Sequence, residues 1–385
     1  VAALHPADIY SVTAPTNFRW FLTGGADGII RKWDTFASLN GKTPLTQAQR
    51  QGQVDSVTKS GVLLTSWSLH SSSSSSPSAS GSSGKRAPLS PVYSLACHPE
   101  AVWALAGTGS GDIRLYTLRS DEGLLHATLP AGTSSSAMGE ESREGHTGPV
   151  SVLTLSVDSS RCFSGSWDKG ILEWDLNTGQ IAQRYVGATS QVAVIQSQPT
   201  SEDSMHQDGS GPLLMNATVD GQVMLWDQRM AHFVGKYTPP DRVPPWLLSA
   251  TWGADGQHIY VGRRNGTVEE WDVRGDRLVR SLRLPLQSGP VHHVHAMPSG
   301  RHLLCGSMDN LRLWDLQADH DDGDGMALGG GRLPPFRVLP GHHGGVIAGI
   351  IRDHEAKYVV SISGTRGWEG QGNRGCLLYD VQTVL

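Results

Sequence analysis

Cysteine, net basic charge and long apolar runs are all scarce in this chain. Its four cysteines, Cys97, Cys162, Cys305 and Cys376, stand at least 65 positions apart, so no CxxC zinc knuckle exists and no disulfide framework is suggested. That usage fits a reducing compartment. The formal net charge of −5 supplies no basic field for tracking a phosphate backbone, which speaks against nucleic acid as a direct ligand. No apolar run approaches the ~18 residues that span a bilayer, and no signal-like segment opens the chain. The reading is a soluble chain without membrane contact, trimmed at its Val1 start. No GxSxG nucleophile motif occurs. Charged residues are 17% of the 385 against a usual ~25%, which disfavours solvated helix. What is abundant is glycine, with 46 residues, and tryptophan, with 12 against 14 Phe and Tyr together. A selective excess of Trp points to a repeated structural position.

The repeat appears on aligning the aromatic that closes each strand-like run: Trp33, Tyr116, Trp174, Trp226, Trp271, Trp314 and Tyr379. All but Tyr116 are followed by Asp. Three positions upstream stand Ile30, Ile113, Ile171, Val223, Val268, Leu311 and Cys376, mostly β-branched as strands prefer. Six upstream come Asp27, Ser110, Asp168, Asp220, Asn265 and Asn373, with Gly28, Gly111, Gly221 and Gly266 next to four of them. Asp-Gly and Asn-Gly between apolar runs predict tight hairpins with positive φ at both central residues. The sixth unit is one residue short, with Asp309 five before Trp314. The smallest spacings, 45 and 43, match the ~40 to 45 residues of a WD40 blade. Seven units therefore predict an all-β fold, a seven-bladed WD40 β-propeller formed by residues 1–385 as one domain. Val1 to Leu4 would close the ring as the outer strand of the last blade.

Unit three carries the fullest signature, GHTGPVSVLTLSVDSSRCFSGSWDKGILEWD. There His146, Ser164, Asp168 and Trp174 read as a structural tetrad that locks a loop, a turn and a strand together. A catalytic Ser-His-Asp triad is the rival reading, disfavoured because each polar group already has a structural partner. The expectation is a protein that is not an enzyme and binds no cofactor and no metal.

About 95 residues exceed what seven blades of ~42 need. The largest surplus is an insertion over 35–91 between units one and two. Its part 43–58 reads as helical, with Thr43 as N-cap, Pro44 in the first turn and Leu45, Ala48, Val54 and Val57 as an apolar stripe. Its part 68–90, holding SSSSSSPSASGSSGKR, reads as a Ser-rich disordered loop. Three patterns invite over-reading. GQGNRG at 370–375 matches GxGxxG, but a strand follows where a dinucleotide site needs a helix. DHDDGDG at 319–325 lacks the Glu and flanking helices of an EF-hand. His292, His293, His295, His342 and His343 place no complete metal-ligand set.

The candidate contact residues fall in two groups. Arg263 and Arg264 lie where other units carry Gly24 to Ala26 or Ser166 and Trp167, with Trp167, Trp246, Arg366 and Trp368 as aromatic and cationic anchors near one mouth of the ring. Asp319, Asp321, Asp322 and Asp324 form a rival acidic surface suited to a basic partner.

Beyond the generic repeat, several stretches are distinctive: LHPADIYSVTAPTNFRWFLTGGADGIIRKWD from Leu4, SPVYSLACHPEAVWALAGTGSGDIRLY from Ser90, FSGSWDKGILEWDLNTGQ from Phe163, PPWLLSATWGADGQHIYVGRRNGTVEEWDVR from Pro244 and MPSGRHLLCGSMDNLRLWDL from Met297. In these the chain resembles the Spt-eight family, the WD40 subunit of the SAGA transcriptional coactivator that associates with the TATA-box-binding protein. The resemblance implies a nuclear, non-catalytic subunit with TATA-box-binding protein and other SAGA subunits as partners, acting in delivery of that protein to promoters. It also implies an acidic N-terminal extension that this sequence does not include. A substrate or histone-tail recruitment module of another complex is the alternative that generic WD40 motifs allow.

Overall fold

A computed structural model describes residues 1–50, 56–70, 88–132, 144–199, 212–230, 232–239, 243–308, 310–318, 335–342, 344–367 and 370–381. These form seven four-stranded antiparallel sheets. Blade one consists of Ile9–Thr13, Trp20–Gly25, Ile29–Asp34 and Val62–Ser68, ordered from the centre outwards. Blade two begins at Ser94–Cys97, blade three at Val150–Leu155, blade four at Val192–Ser197, blade five at Leu247–Trp252, blade six at His293–Ala296 and blade seven at Ile347–Arg352. The innermost strands of successive blades pack side by side, and that of blade seven packs against that of blade one. A ring with a central channel results.

The ring closes as the sequence suggests. Ala2–Leu4 pairs antiparallel with Gly375–Asp380 and supplies the outer strand of blade seven. The apolar core lies between blades rather than within them. Leu22 and Ile30 of blade one meet Leu95, Ala106 and Tyr116 of blade two, and each later seam repeats the arrangement. Alternation along each strand presents one face to each neighbouring blade, so every blade needs both neighbours to bury its two faces.

Three sequence expectations change. The hairpin turns do not carry positive φ at both central residues. Gly28, Gly111, Lys169, Gly221 and Gly266 have it, whereas the Asp, Ser or Asn before each does not. The hydrogen bonds Gly28 N–H to Gly25 O and Lys169 N–H to Ser166 O mark three-residue loops, a type I turn ending in a left-handed residue. The Asp side chain instead accepts the N–H two residues on, as Asp27 does from Ile29 and Asp168 from Gly170.

The insertion over 35–91 is two connections, because the outer strand of blade one, Val62–Ser68, lies inside it. The expected helix over 43–58 is also corrected. The described helices there are Thr35–Asn40, capped by Asp34, and the single turn Gln47–Arg50. Thr46, not Thr43, caps that turn, in a reciprocal box with Gln49. Pro44 bridges Lys59 in an extended pair. Leu45 and Val57 are buried as anticipated, but against Ala2 and Leu377. Lys59–Gly61 flanks the free edge of Ala2, through Ala2 N–H to Lys59 O and Gly61 N–H to Ala2 O. The first half of the insertion is thus a clamp on the closing strand. In the second half, Leu69 and Ser90 are buried, and the serine tract 71–87 lies outside the described residues.

Candidate functional site at the channel mouth

In an antiparallel meander, the connections after the first and third strands of every blade open on one face of the ring. The remaining connections open on the other, and this second face carries the hairpin turns and the channel mouth.

Each blade must first lock its turn to its strands. In blade three the His146 Nε2 lies 2.7 Å from Ser164 Oγ, which also accepts the Trp174 indole N–H at 2.7 Å. His146 Nδ1 faces the Asp168 carboxylate at 3.3 Å. Burial works to raise the Asp168 carboxyl, but hydrogen bonds from His146 and from the Thr147 and Gly170 N–H groups outweigh it and hold it well below the usual carboxylate range. The order serine, imidazole, carboxylate is that of a hydrolase triad. Ser164 is fully buried and held by Trp174, so no substrate reaches it.

Other blades vary this pattern. Blade one places His5, Thr23 and Trp33 alike, at 2.8 and 2.9 Å, and blade seven joins His342 to Ser361 at 2.6 Å. Burial lowers both of these imidazoles to about 4. Sequence reading missed the blade-one set, although aligning LHPADIYSV with GHTGPVSVL registers His5 on His146. In blade five the serine position is Val261, which cannot accept. There the Trp271 indole donates instead to Glu269 Oε2 at 3.0 Å, and Arg263 joins the same oxygen at 2.9 and 2.7 Å while donating to Gly221 O.

This corrects the expectation for Arg263. It is fully buried, its charge satisfied by Glu269, and it offers nothing to a partner. Arg264, by contrast, is exposed, with its guanidinium 5.2 Å from the Trp246 ring, a cation–π pair. Trp167 is half-buried and packs edge-on to Tyr93 at 5.3 Å, and Tyr93 stacks on Tyr10 at 5.6 Å. Three blades thereby present one aromatic arc along the mouth. Arg366 is likewise corrected: it is not a surface anchor. Its guanidinium enters the channel and donates to the carbonyls of Ser151 at 3.0 Å and of Tyr10 and Tyr93 at 2.7 Å each. Burial lowers it to about 10, so it remains a cation at neutral pH. Trp368 lies outside the described residues, as do Asp319, Asp321, Asp322 and Asp324. The strand ends that flank those aspartates, Asp315 and Phe336, lie on the opposite face.

Inside the channel a cavity of about 240 Å³ is lined by Val12, Leu95, Val194, Leu248, His293 and Ile347 among others. Burial lowers His293 to about 4 and His295 to about 3, so both are neutral imidazoles. Among the described residues no three His, Cys, Asp or Glu converge as a metal site. His343 is not among them.

A ring of seven four-stranded blades, one locked by a full His-Ser-Asp-Trp network and others by variants of it, defines a WD40-type β-propeller. Comparison with known proteins is more specific. The profile of the SPT8 beta propeller family matches residues 1–210 and 201–382. The SAGA complex subunit Spt8 of Schizosaccharomyces pombe is 34% identical over 96% of this chain and 76% of its own length. The SAGA complex subunit SPT8 of Saccharomyces cerevisiae is 30% identical over 97% of this chain and 70% of its own. A guanine nucleotide-binding protein subunit beta of Solanum tuberosum is 28% identical over 53% of each chain. The chain belongs to the SPT8 β-propeller family.

Proposed function

We propose that this chain is a non-catalytic WD40 scaffold subunit of a nuclear SAGA-type coactivator. In this reading it binds TATA-box-binding protein and regulates its delivery to promoters in RNA polymerase II transcription, beside other SAGA subunits. The observation that carries the reading is likeness along almost the whole chain to two SAGA complex subunits. The fully buried Ser164 of the tetrad supports a binding role over a hydrolytic one.

Charge distribution favours the acidic face as the contact. Segment 197–211 contributes Glu202, Asp203 and Asp208 with no Lys or Arg, and segment 317–332 contributes Asp319, Asp321, Asp322 and Asp324 against one cation, Arg332. Those seven carboxylates exceed the formal net charge of −5, so the rest of the chain is slightly positive. The flanking strands are Val192–Ser197 and Leu213–Thr218 for the first, and Leu311–Asp315 and Phe336–Leu339 for the second. Both segments therefore leave the ring on the same face, two blades apart. Such a concentration suits a basic, DNA-binding partner and makes association salt-sensitive.

The test is titration of the purified chain with TATA-box-binding protein at low and high salt. Replacing the four aspartates of 319–324 by Ser is expected to weaken binding at least tenfold and flatten its salt dependence, and Arg264→Glu to leave it unchanged. The reverse pattern moves the contact to the channel-mouth face. No binding of the wild-type chain at micromolar concentration removes the partner assignment.

A further inference from the structure

We propose that the channel mouth is a guanidinium-binding site, built from the carbonyl oxygens of Tyr10, Tyr93 and Ser151, which the chain fills with its own Arg366 and which takes an arginine side chain of a partner once Arg366 is withdrawn. The three oxygens come from blades one, two and three, and they are equivalent by position. The inner strand of blade one shifts register between Ile9 and Ser11, and that of blade three between Val150 and Val152. Tyr10 and Ser151 are the extra residues of those bulges, the ones that two-against-one pairing leaves out of the ladder. Tyr93 immediately precedes the paired residue Ser94 of blade two. Bulges at the same place in blades one and three, with Tyr93 at the matching position of blade two, thus aim three carbonyls into the lumen, and an acceptor cluster is the result.

The geometry selects a guanidinium. Nη1 serves blade three, and Nη2 serves blades one and two together. A planar fork reaches these separated acceptors with two nitrogens held in fixed relation, whereas an ammonium donates from one point. The occupant arrives from the loop after Tyr358–Ser363 of blade seven, the neighbour of blade one in the ring. Its entry needs Gly364, where a Cβ would stand 2.3 Å from the Ile9 carbonyl oxygen. Next to Arg366 is Gly367 at φ +88°, with open space around its Cβ position. Thr365 N–H to Asp8 and Val346 N–H to Gln371 O tether it. Because Arg366 is tethered, it competes with any free arginine as an intramolecular ligand at roughly millimolar effective concentration. The wild-type site is therefore self-blocked, and this holds whichever protein the propeller serves.

Chemical complementation of Arg366→Ala in the full chain tests the proposal. Low-millimolar methylguanidinium is expected to raise the melting temperature of the variant with saturation, methylammonium at equal concentration to leave it unchanged, and the wild type to respond to neither. Equal responses to the two cations, or none, overturn the site. The trans arm compares an arginine-rich peptide with its lysine counterpart: the variant is expected to bind the arginine form at least ten times more tightly than the lysine form, and more tightly than the wild type does. Equal affinity of wild type and variant overturns the partner role. The wild type also supplies a readout that needs no variant. Arg366 is expected to resist phenylglyoxal while the exposed Arg277 reacts, and modification of both at one rate overturns occupancy in cis.

Discussion

Blades three and five share one backbone plan and solve the same polar problem with different chemistry. In both, the indole N–H of the closing Trp needs an acceptor beside the second strand, fully buried in blade three and half-buried in blade five. Blade three answers with a neutral hydroxyl, Ser164, relayed through His146 to Asp168 at the turn. Blade five has Val261 there, and a carboxylate on the third strand, Glu269, takes over. A carboxylate in that seam demands a counter-charge, which Arg263 supplies from the end of the second strand. One Ser-to-Val difference between repeats is thus coupled to two charged residues that the generic motif does not contain.

The largest expected effect breaks the blade-five solution on one side. Glu269→Ala leaves the Arg263 guanidinium buried without its carboxylate and the Trp271 N–H without its acceptor. Removing one partner of a buried pair costs about 3–5 kcal/mol, and chemical denaturation is expected to show a loss of that size. Ser164→Ala is the matching change in blade three. It strands the Trp174 N–H and one nitrogen of His146 but leaves no guanidinium buried without its carboxylate, so about 2–3 kcal/mol is expected, from two unsatisfied groups. If the two variants lose the same stability, charge is not what separates the blades.

The same contrast explains how much could be read in advance. The blade count was legible because the closing aromatic recurs at a fixed offset from an Asp, Ser or Asn turn. Closure by Val1 to Leu4 was legible because a ring cannot leave an edge strand without a partner. The tetrad of blade three was legible because all four residue types stand at their motif positions. Arg263 was misjudged because a charged residue beside a turn normally faces water, and no local pattern announces that Val261 has removed an acceptor ten positions before Trp271. Arg366 was misjudged for a related reason. Its acceptors are backbone carbonyls of residues 10, 93 and 151, far away in sequence and chemically silent in it. Among the described residues of 43–58 only Gln47–Arg50 is helical, because the buried positions Leu45 and Val57 fit a helical stripe and an extended pair equally, and pairing beside the closing strand decides between them.

Acid probes the imidazole version of the lock. His5 and His342 sit in the two blades that meet at the closure seam, and burial lowers both to about 4. An unfolded histidine protonates near 6.5. Between those values the unfolded chain binds more protons than the folded one, so stability is complete above pH 6.5 and falls as pH drops toward 4. On the order of 1–3 kcal/mol per imidazole is at stake. Asp168 of blade three is shifted the other way with respect to charge: its carboxylate contribution persists above pH 4 and is lost below it. Hydrogen exchange corrected for intrinsic rates is expected to show Ala2–Leu4 loosening at pH 5 while Arg161–Ser166 stays protected. Simultaneous loss of both would mean that the seam is not the acid-sensitive part.

The smallest effect sharpens the comparison most. Replacing both members of the blade-five pair, Arg263→Met with Glu269→Leu, removes the charges together and leaves apolar chains of similar length in a seam already lined by Leu225, Leu247 and Val261. Exchanges of this kind are often neutral, because the desolvation that the ion pair suffered disappears with it. Two groups do lose partners, the Gly221 carbonyl and the Trp271 indole. Trp271 is only half-buried, so its N–H can turn to water where Trp174, fully buried, cannot. The double variant is therefore expected to lie within about 1 kcal/mol of wild type, well above Glu269→Ala alone. A double-mutant cycle by denaturation measures it. A cost equal to the sum of the two single changes would show that Arg263 and Glu269 act separately, and that blade five is locked by something other than their mutual charge.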